Sequence, residues 1–404
     1  MPSHSIRIVG VVLAGFLVAA VPARGATETV VYSFKGGADG AYPYGGLIDA
    51  GGTLYGTTDA GGEQSHNCRP SGCGTVFSLT TGGAENVVYA FERGNDGDGP
   101  LTSLLNFGGT LYGTTAGGGG GTCSGGCGTV FSVTTGGVEN ILYAFKGNID
   151  RGIKPYAGLI AAGGKLYGTT TSGGASTTCD SGCGTVFSLT TAGKEKVVYS
   201  FQQGSDGGEP SAGLIDEGGI LYGTASEGGG GSCEGGCGAV FSMTRTGAEK
   251  VVYAFQGGTD AQEPTSGLFN AGARFFGVSA LGGSANCFKG CGVVFSVTTA
   301  GVEKVIYSFK SGTDGHTPNG PLIEVGDKFY GTTESGGTGA SCSGGCGTIF
   351  SVAKSGAEKV LYSFQAGSDG CEPYAGLINV GGTLYGTTAG CGANGYGTVF
   401  SFKP

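Results

Sequence analysis

Leu54-Tyr55-Gly56-Thr57-Thr58 decides how this chain is read, because its aromatic–glycine pair returns at Tyr112, Tyr167, Tyr222, Phe276, Tyr330 and Tyr385. Successive gaps are 57, 55, 55, 54, 54 and 55 residues. One unit is therefore written seven times, and repeats of this length share one continuous structure instead of folding as separate domains. The apolar flank and the glycine suit an inner strand packed between two neighbours.

Outward from this stretch, every unit carries the same signals. Upstream lie a short apolar piece, Gly46-Leu47-Ile48, and a tight turn at Gly51-Gly52. Downstream, a long polar loop leads to Gly74-Thr75-Val76-Phe77-Ser78-Leu79, and Gly82-Gly83 turns the chain into Val87-Val88-Tyr89-Ala90-Phe91. These β-branched and aromatic runs between glycine turns read as four short strands in an antiparallel meander. Residues 87–91 are apolar on both faces, so both faces of each small sheet need cover, and neighbouring sheets supply it. The expectation is an all-β, seven-bladed β-propeller of four-stranded blades spanning 27–404. The chain opens on a fourth-type strand, 30–34, and closes on a third-type strand, 397–402. Pairing these two would complete the seventh blade and remove two open edges. A β-solenoid is the rival, but its coils are much shorter and give no reason for offset ends.

Composition sets the compartment. Glycine at 91 residues and proline at 12 would suggest low complexity, but the glycines keep fixed offsets between apolar runs. Residues 1–26 read as a secretory signal: Arg7, an apolar run over 8–21, then small residues around Ala23 to Ala26. No run is long enough for a membrane helix. Removing Arg7 and Arg24 leaves 19 of 21 basic residues against 30 acidic ones, a net charge of −11. That excess argues against nucleic acid and anionic membranes as partners.

Fourteen cysteines agree with export. Twelve form local pairs: Cys68 with Cys73, Cys123 with Cys127, Cys179 with Cys183, Cys233 with Cys237, Cys287 with Cys291, and Cys342 with Cys346. A disulfide closing so small a loop contributes about 2 kcal/mol before strain. Zinc is the alternative, but it needs two pairs or a histidine per site, and only His66 and His316 follow the signal. Tyr396 takes the second cysteine position in the seventh unit, so the leftover Cys371 and Cys391 are expected to bond to each other.

The Leu-Tyr-Gly-Thr-Thr, Gly-Gly and Gly-Thr-Val-Phe motifs, linked seven times over 27–404, resemble the tandem-repeat family called GloVer, bacterial exported proteins. Members are described as "choice-of-anchor" because varied sorting segments follow the repeats. This chain stops at Pro404, which points to free secretion. The resemblance implies a compartment and a repeat architecture, and it supplies no catalytic residues.

In an antiparallel blade the two long loops, from second to third strand and from fourth to the next blade's first, emerge on one end of the barrel. Ligand binding belongs on that built-up face. It carries a repeated aspartate: Asp39, Asp96, Asp150, Asp206, Asp260, Asp314 and Asp369, each followed by a proline four or five residues on. One reading is a turn-building carboxylate accepting backbone hydrogen bonds. The other is a ring binding calcium or sugar hydroxyls at the channel mouth. Asn95-Asp96-Gly97-Asp98-Gly99 comes nearest to a calcium loop but lacks the full ligand series and the distal glutamate. No cofactor is expected otherwise. Catalysis finds no nucleophile elbow or metal-protease spacing, although Glu63, Glu227, Glu234 and Glu334 sit in long loops where two carboxylates suit glycoside cleavage. The leading reading is a monomeric, exported binding propeller presenting a disulfide-stapled acidic face to a glycan, a surface component or a protein. A carboxylate-dependent polysaccharide enzyme and a purely structural extracellular protein are the alternatives.

Overall fold

The computed structural model describes residues 27–62, 68–147 and 152–404; residues 1–26, which the sequence reading assigns to a secretory signal, lie outside the described residues. Seven four-stranded antiparallel sheets follow one another as the blades of a propeller. Blade one consists of Ile48–Ala50, Thr53–Thr58, Thr75–Thr80 and Glu85–Ala90. In each blade the first strand has only two or three residues. Neighbouring first strands contact one another, as Ile48–Ala50 does Leu105–Phe107 on one side and Ile378–Val380 on the other, so they line the axis. Among the described residues no helix is long and apolar enough to cross a membrane.

The seventh blade closes as the offset ends require. Thr27–Ser33 is its fourth strand, pairing antiparallel with Thr398–Lys403 from Thr27 opposite Lys403 to Ser33 opposite Thr398. Phe34 then packs edge-to-face on Phe77 of blade one, ring centroids 5.1 Å apart. The same pairing joins every successive pair of blades, including Phe91 with Phe131 and Phe364 with Phe400. All of these rings are fully buried. An aromatic pair of this geometry adds about 0.5–1.5 kcal/mol to the burial of its area.

The decisive stretch owes its glycine to this wall. A Cβ on Gly56 would lie 2.6 Å from Cζ of Phe77, which covers it from the neighbouring strand. Gly113 and Gly386 stand in the same relation to Phe131 and Phe400, each at 2.5 Å. The threonines after that glycine do two separate jobs. Thr58 Oγ1 lies 2.8 Å from Thr75 Oγ1 within the blade and donates to the Ala60 carbonyl. Thr57 Oγ1 instead donates to the Thr102 carbonyl of the next blade at 3.0 Å. Thr114, Thr169, Thr224 and Thr332 repeat the bond to Ala157, Ala212, Ser266 and Ala375, and Thr387 carries it across the closing seam to Gly45. Buried hydroxyls and carbonyls are thereby paired next to the axis, where leaving them unmade would cost most.

Each fourth strand holds an extra residue, Val88 in blade one and Val31 in blade seven, at a register shift against the third strand. Such a bulge sharpens the right-handed twist. It also brings the bulge carbonyl against the turn of the following blade, where a Cβ on Gly83 would sit 2.8 Å from the Val31 oxygen.

Candidate functional site

The two ends of the barrel differ as the loop lengths predict. One end carries two-residue turns such as Gly51-Gly52. On the other, the two long loops of each blade pair with each other: Ala41 bridges Ala60, Gly97–Asp98 pairs with Gly117–Gly118, and Cys371 bridges Gly390.

Seven disulfides are present, with the partners expected, and no free cysteine remains among the described residues. Six staple a second-to-third loop. Cys371–Cys391 ties the two long loops of blade seven together at their bridge. The staples reach further than their own loops, because the carbonyl of each second cysteine accepts a hydrogen bond from the residue before the next blade's proline. Gly99 N donates to the Cys73 carbonyl at 2.9 Å, Lys154 N to Cys127 at 3.0 Å and Glu372 N to Cys346 at 3.0 Å. At the seam Tyr42 N donates to the Tyr396 carbonyl at 2.9 Å, so the backbone there does the same work without a sulfur. These pre-proline residues hold positive φ, between 51° and 66°, a region costly for side chains larger than glycine. The same hydrogen bond, with or without a staple, therefore holds a positive-φ backbone just ahead of the axis.

The residue after each proline lines the axial mouth. One arc runs through Tyr374, Tyr44, Leu101 and Tyr156 in blades seven, one, two and three; the other through Ser211, Thr265 and Asn319 in blades four, five and six. Together they surround a cavity of about 330 Å³ that opens into an outer basin of about 610 Å³, bordered also by Asp59 and Arg69. Tyr44 and Tyr374 meet edge-to-face with centroids 5.8 Å apart. Tyr156 and Tyr374 are 39% and 41% exposed. The backbone beneath is fixed, since the inter-blade threonines hold the carbonyl of the residue immediately after every one of these side chains except Asn319.

Polar groups at the mouth are connected on one side and open on the other. Thr265 Oγ1 donates to Asn319 Oδ1 at 3.1 Å, and Asn319 Nδ2 donates to Glu334 Oε2 at 2.7 Å. Burial pushes the Glu334 carboxyl up, the Asn319 bond draws it back, and Glu372 pushes it up again. Ser211 Oγ is buried with no hydrogen-bond partner. Burial and then Asp59, Glu372 and Glu334 raise the Tyr44 phenol, while Tyr374 is raised by burial and Glu334. Arg69 reaches Asp59 at 3.1 Å and Asp98 at 3.5 Å, and Arg93 reaches Asp98 at 3.3 Å.

The repeated aspartates lie elsewhere. Six are described, and each sits against the outermost strand, where a tyrosine hydroxyl and a backbone amide donate to it. Tyr32 OH and Lys35 N bond Asp39, and Tyr89 OH and Glu92 N bond Asp96; Asp206, Asp260, Asp314 and Asp369 are bonded in the same way. Asp150 lies outside the described residues. A glutamate from the next blade's fourth strand joins each cluster. Burial and the neighbouring Asp39 push Glu85 up to about 7, and Glu28, Glu139, Glu249, Glu303 and Glu358 are pushed to about 7 beside their own aspartates. These carboxyls belong to the walls between blades, and the aspartates do not line the mouth. Of the loop glutamates, Glu63 is outside the described residues, Glu227 accepts from Gln203 Nε2, Glu234 is exposed, and Glu334 alone bonds a mouth residue.

Sequence reasoning names the prolines and misses the position immediately after each. A signal is there to be read: positions that build the walls repeat almost unchanged, whereas the post-proline residue runs Tyr, Leu, Tyr, Ser, Thr, Asn, Tyr.

Likeness to known proteins lies in the repeat and in the fold. A family model described as the Gloeobacter/Verrucomicrobia repeat matches residues 10–236, 65–289 and 230–404. No curated protein matches in sequence. Solved structures of similar fold include Saccharomyces cerevisiae Sqt1 (10% identity, covering 94% of this chain and 100% of that one, TM-score 0.49). Another is an α-L-arabinofuranosidase of Fusarium graminearum in complex with an iminosugar inhibitor (13% identity, 93% and 97%, TM-score 0.43). A third is Trypanosoma rangeli sialidase (10% identity, 93% and 59%, TM-score 0.43).

Proposed function

The chain belongs to the Gloeobacter/Verrucomicrobia repeat family, and we propose that it is an exported binding propeller. Its loop face engages a glycan, a surface component or a protein partner. The observation that carries this reading is the asymmetry of the barrel. All seven disulfides, the described parts of the long loops and the two connected cavities sit at one end, while the other is pared down to glycine turns. Stapled loops hold a binding surface in place before the ligand arrives, which lowers the ordering cost of binding. The disulfide count supports an oxidising, extracellular setting.

Retention of the secreted protein on immobilised polysaccharides and surface extracts, with and without EDTA, tests the reading. Retention without product is expected, lost in Ser211→Arg at the mouth and kept in Asp327→Arg at the turn end. Absence of retention on every matrix overturns it. The raised Glu334 carboxyl beside the mouth favours one second reading, glycoside cleavage with Glu334 as proton donor. Released oligosaccharide that disappears in Glu334→Gln would establish that reading instead.

A further inference from the structure

We infer that the axial mouth is a saccharide subsite in which one neutral pyranose ring lies with its C–H face on the Tyr374–Tyr44–Leu101–Tyr156 arc and directs hydroxyls to Ser211, Thr265 and Asn319. The inference rests on the reading that the loop face is the binding face, and it goes further by naming the ligand chemistry.

The repeat itself supplies the first argument. At positions that serve the walls, the blades agree: glycine under the third-strand phenylalanine in all seven, aspartate in the fourth-to-first loop in all seven, proline before the mouth in all seven. The residue after that proline varies although its backbone is clamped alike in nearly every blade. Structural need does not dictate its side chain.

Second, the variation is sorted in space. The aromatic and aliphatic residues occupy four consecutive blades and the hydroxyl and amide residues the other three, so one wall of a single cavity is apolar and the opposite wall polar. A pyranose has the matching duality, an apolar C–H face and a rim of hydroxyls. The cavity and basin, about 330 and 610 Å³, fall in the range of small-ligand sites.

Third, the polar wall has capacity to spare. Ser211 Oγ is buried without a partner, and such groups need an explanation. The Thr265–Asn319–Glu334 chain ends in a carboxyl, an acceptor for sugar hydroxyls. Neutrality follows from the surrounding charge. Asp59, Glu334 and Glu372 all act on Tyr44, and Arg69 is engaged by Asp59 and Asp98. An acidic sugar would meet these carboxylates beside an arginine that Asp59 and Asp98 already engage.

Saturation-transfer NMR on the secreted protein, using cellotriose, maltotriose, xylotriose and mannotriose as probes with choline and galacturonate as competitors, tests this. Saturation of ring C–H protons in at least one trisaccharide is expected. Affinity should fall about tenfold or more in Tyr44→Ala/Tyr374→Ala, about 1.4 kcal/mol per decade. Asn319→Ala should weaken binding as well. Phe288→Ala, at an exposed loop residue away from the cavities, should stay within about twofold. Thermal melts of each variant show whether the fold survives. The inference is overturned if no trisaccharide binds while the protein is still retained on extracts through its mouth, if choline or galacturonate displaces the ligand, or if the double variant binds normally. Each of these leaves the loop-face reading standing. Failure of retention on every matrix together with no saccharide signal removes both.

Discussion

The walls between blades and the mouth they surround are built from the same seven repeats yet obey opposite rules. In the walls nearly every position has one solution, Val278 in place of the bridging threonine of blade five being an exception. A phenylalanine from one blade lies edge-to-face on the phenylalanine of the next, a glycine makes room beneath it, and a threonine bridges to the following backbone. At the mouth a fixed backbone carries seven side chains drawn from five residue types. Close packing leaves no freedom where neighbours press from both sides; an open cavity lifts that constraint from the side chain. Damage to the walls should therefore be lost stability, and damage to the mouth lost binding at unchanged stability.

The largest break comes from removing Thr27 to Lys35. The seventh blade then loses its fourth strand and Phe34 leaves the core against Phe77, and a cooperative melt like that of the intact protein would refute the closure. Next is Phe77→Ala in one wall, expected to cost about 3–5 kcal/mol by denaturant unfolding, as for other large aromatic truncations in a core. Gly56→Ala, whose Cβ would press on the Phe77 ring, should cost about 1–3 kcal/mol as an overpacking change.

A further test uses acidity. The glutamates of the walls have carboxyls held near 7 in the fold against 4.5 unfolded. The folded protein thus binds more protons than the unfolded chain between those values, so this stability is fully present below about pH 4.5 and drains away as pH rises through 7. Thermal melts should give a lower Tm at pH 8 than at pH 5, and Glu139→Gln should reduce the slope. Half-exposed carboxyls are screened, so the fall should be a few degrees. A Tm that rises with pH over this window would contradict the clusters. The smallest stability effect is expected at the mouth, where Tyr374→Ala should stay within about 0.5 kcal/mol. A larger loss would mean the tyrosine belongs to the wall and erase the contrast.

How much of this was legible in advance depends on the kind of interaction involved. The seven-unit count, the blade content and the closure of offset ends depend on periodicity and on unpaired strand edges, which are properties of a linear pattern. The pairing of Cys371 with Cys391 was legible for a similar reason, since both loops had to leave from the same end. The aspartates were visible as a pattern, but whether they faced the axis or the rim depended on a tyrosine seven residues upstream, a partner that the loop's path selects. Their glutamate partners were invisible because they come from the next blade.

By itself, the sequence determined the fold, because local strand and turn chemistry repeated seven times leaves one closed arrangement that covers every face and edge. Only the tertiary structure decided the site. Tyr44, Tyr156 and Tyr374, each more than 100 residues from the other two, become neighbours around one cavity because the ring brings each blade's first strand to the axis. Their meaning lies in that convergence, which no stretch of chain contains.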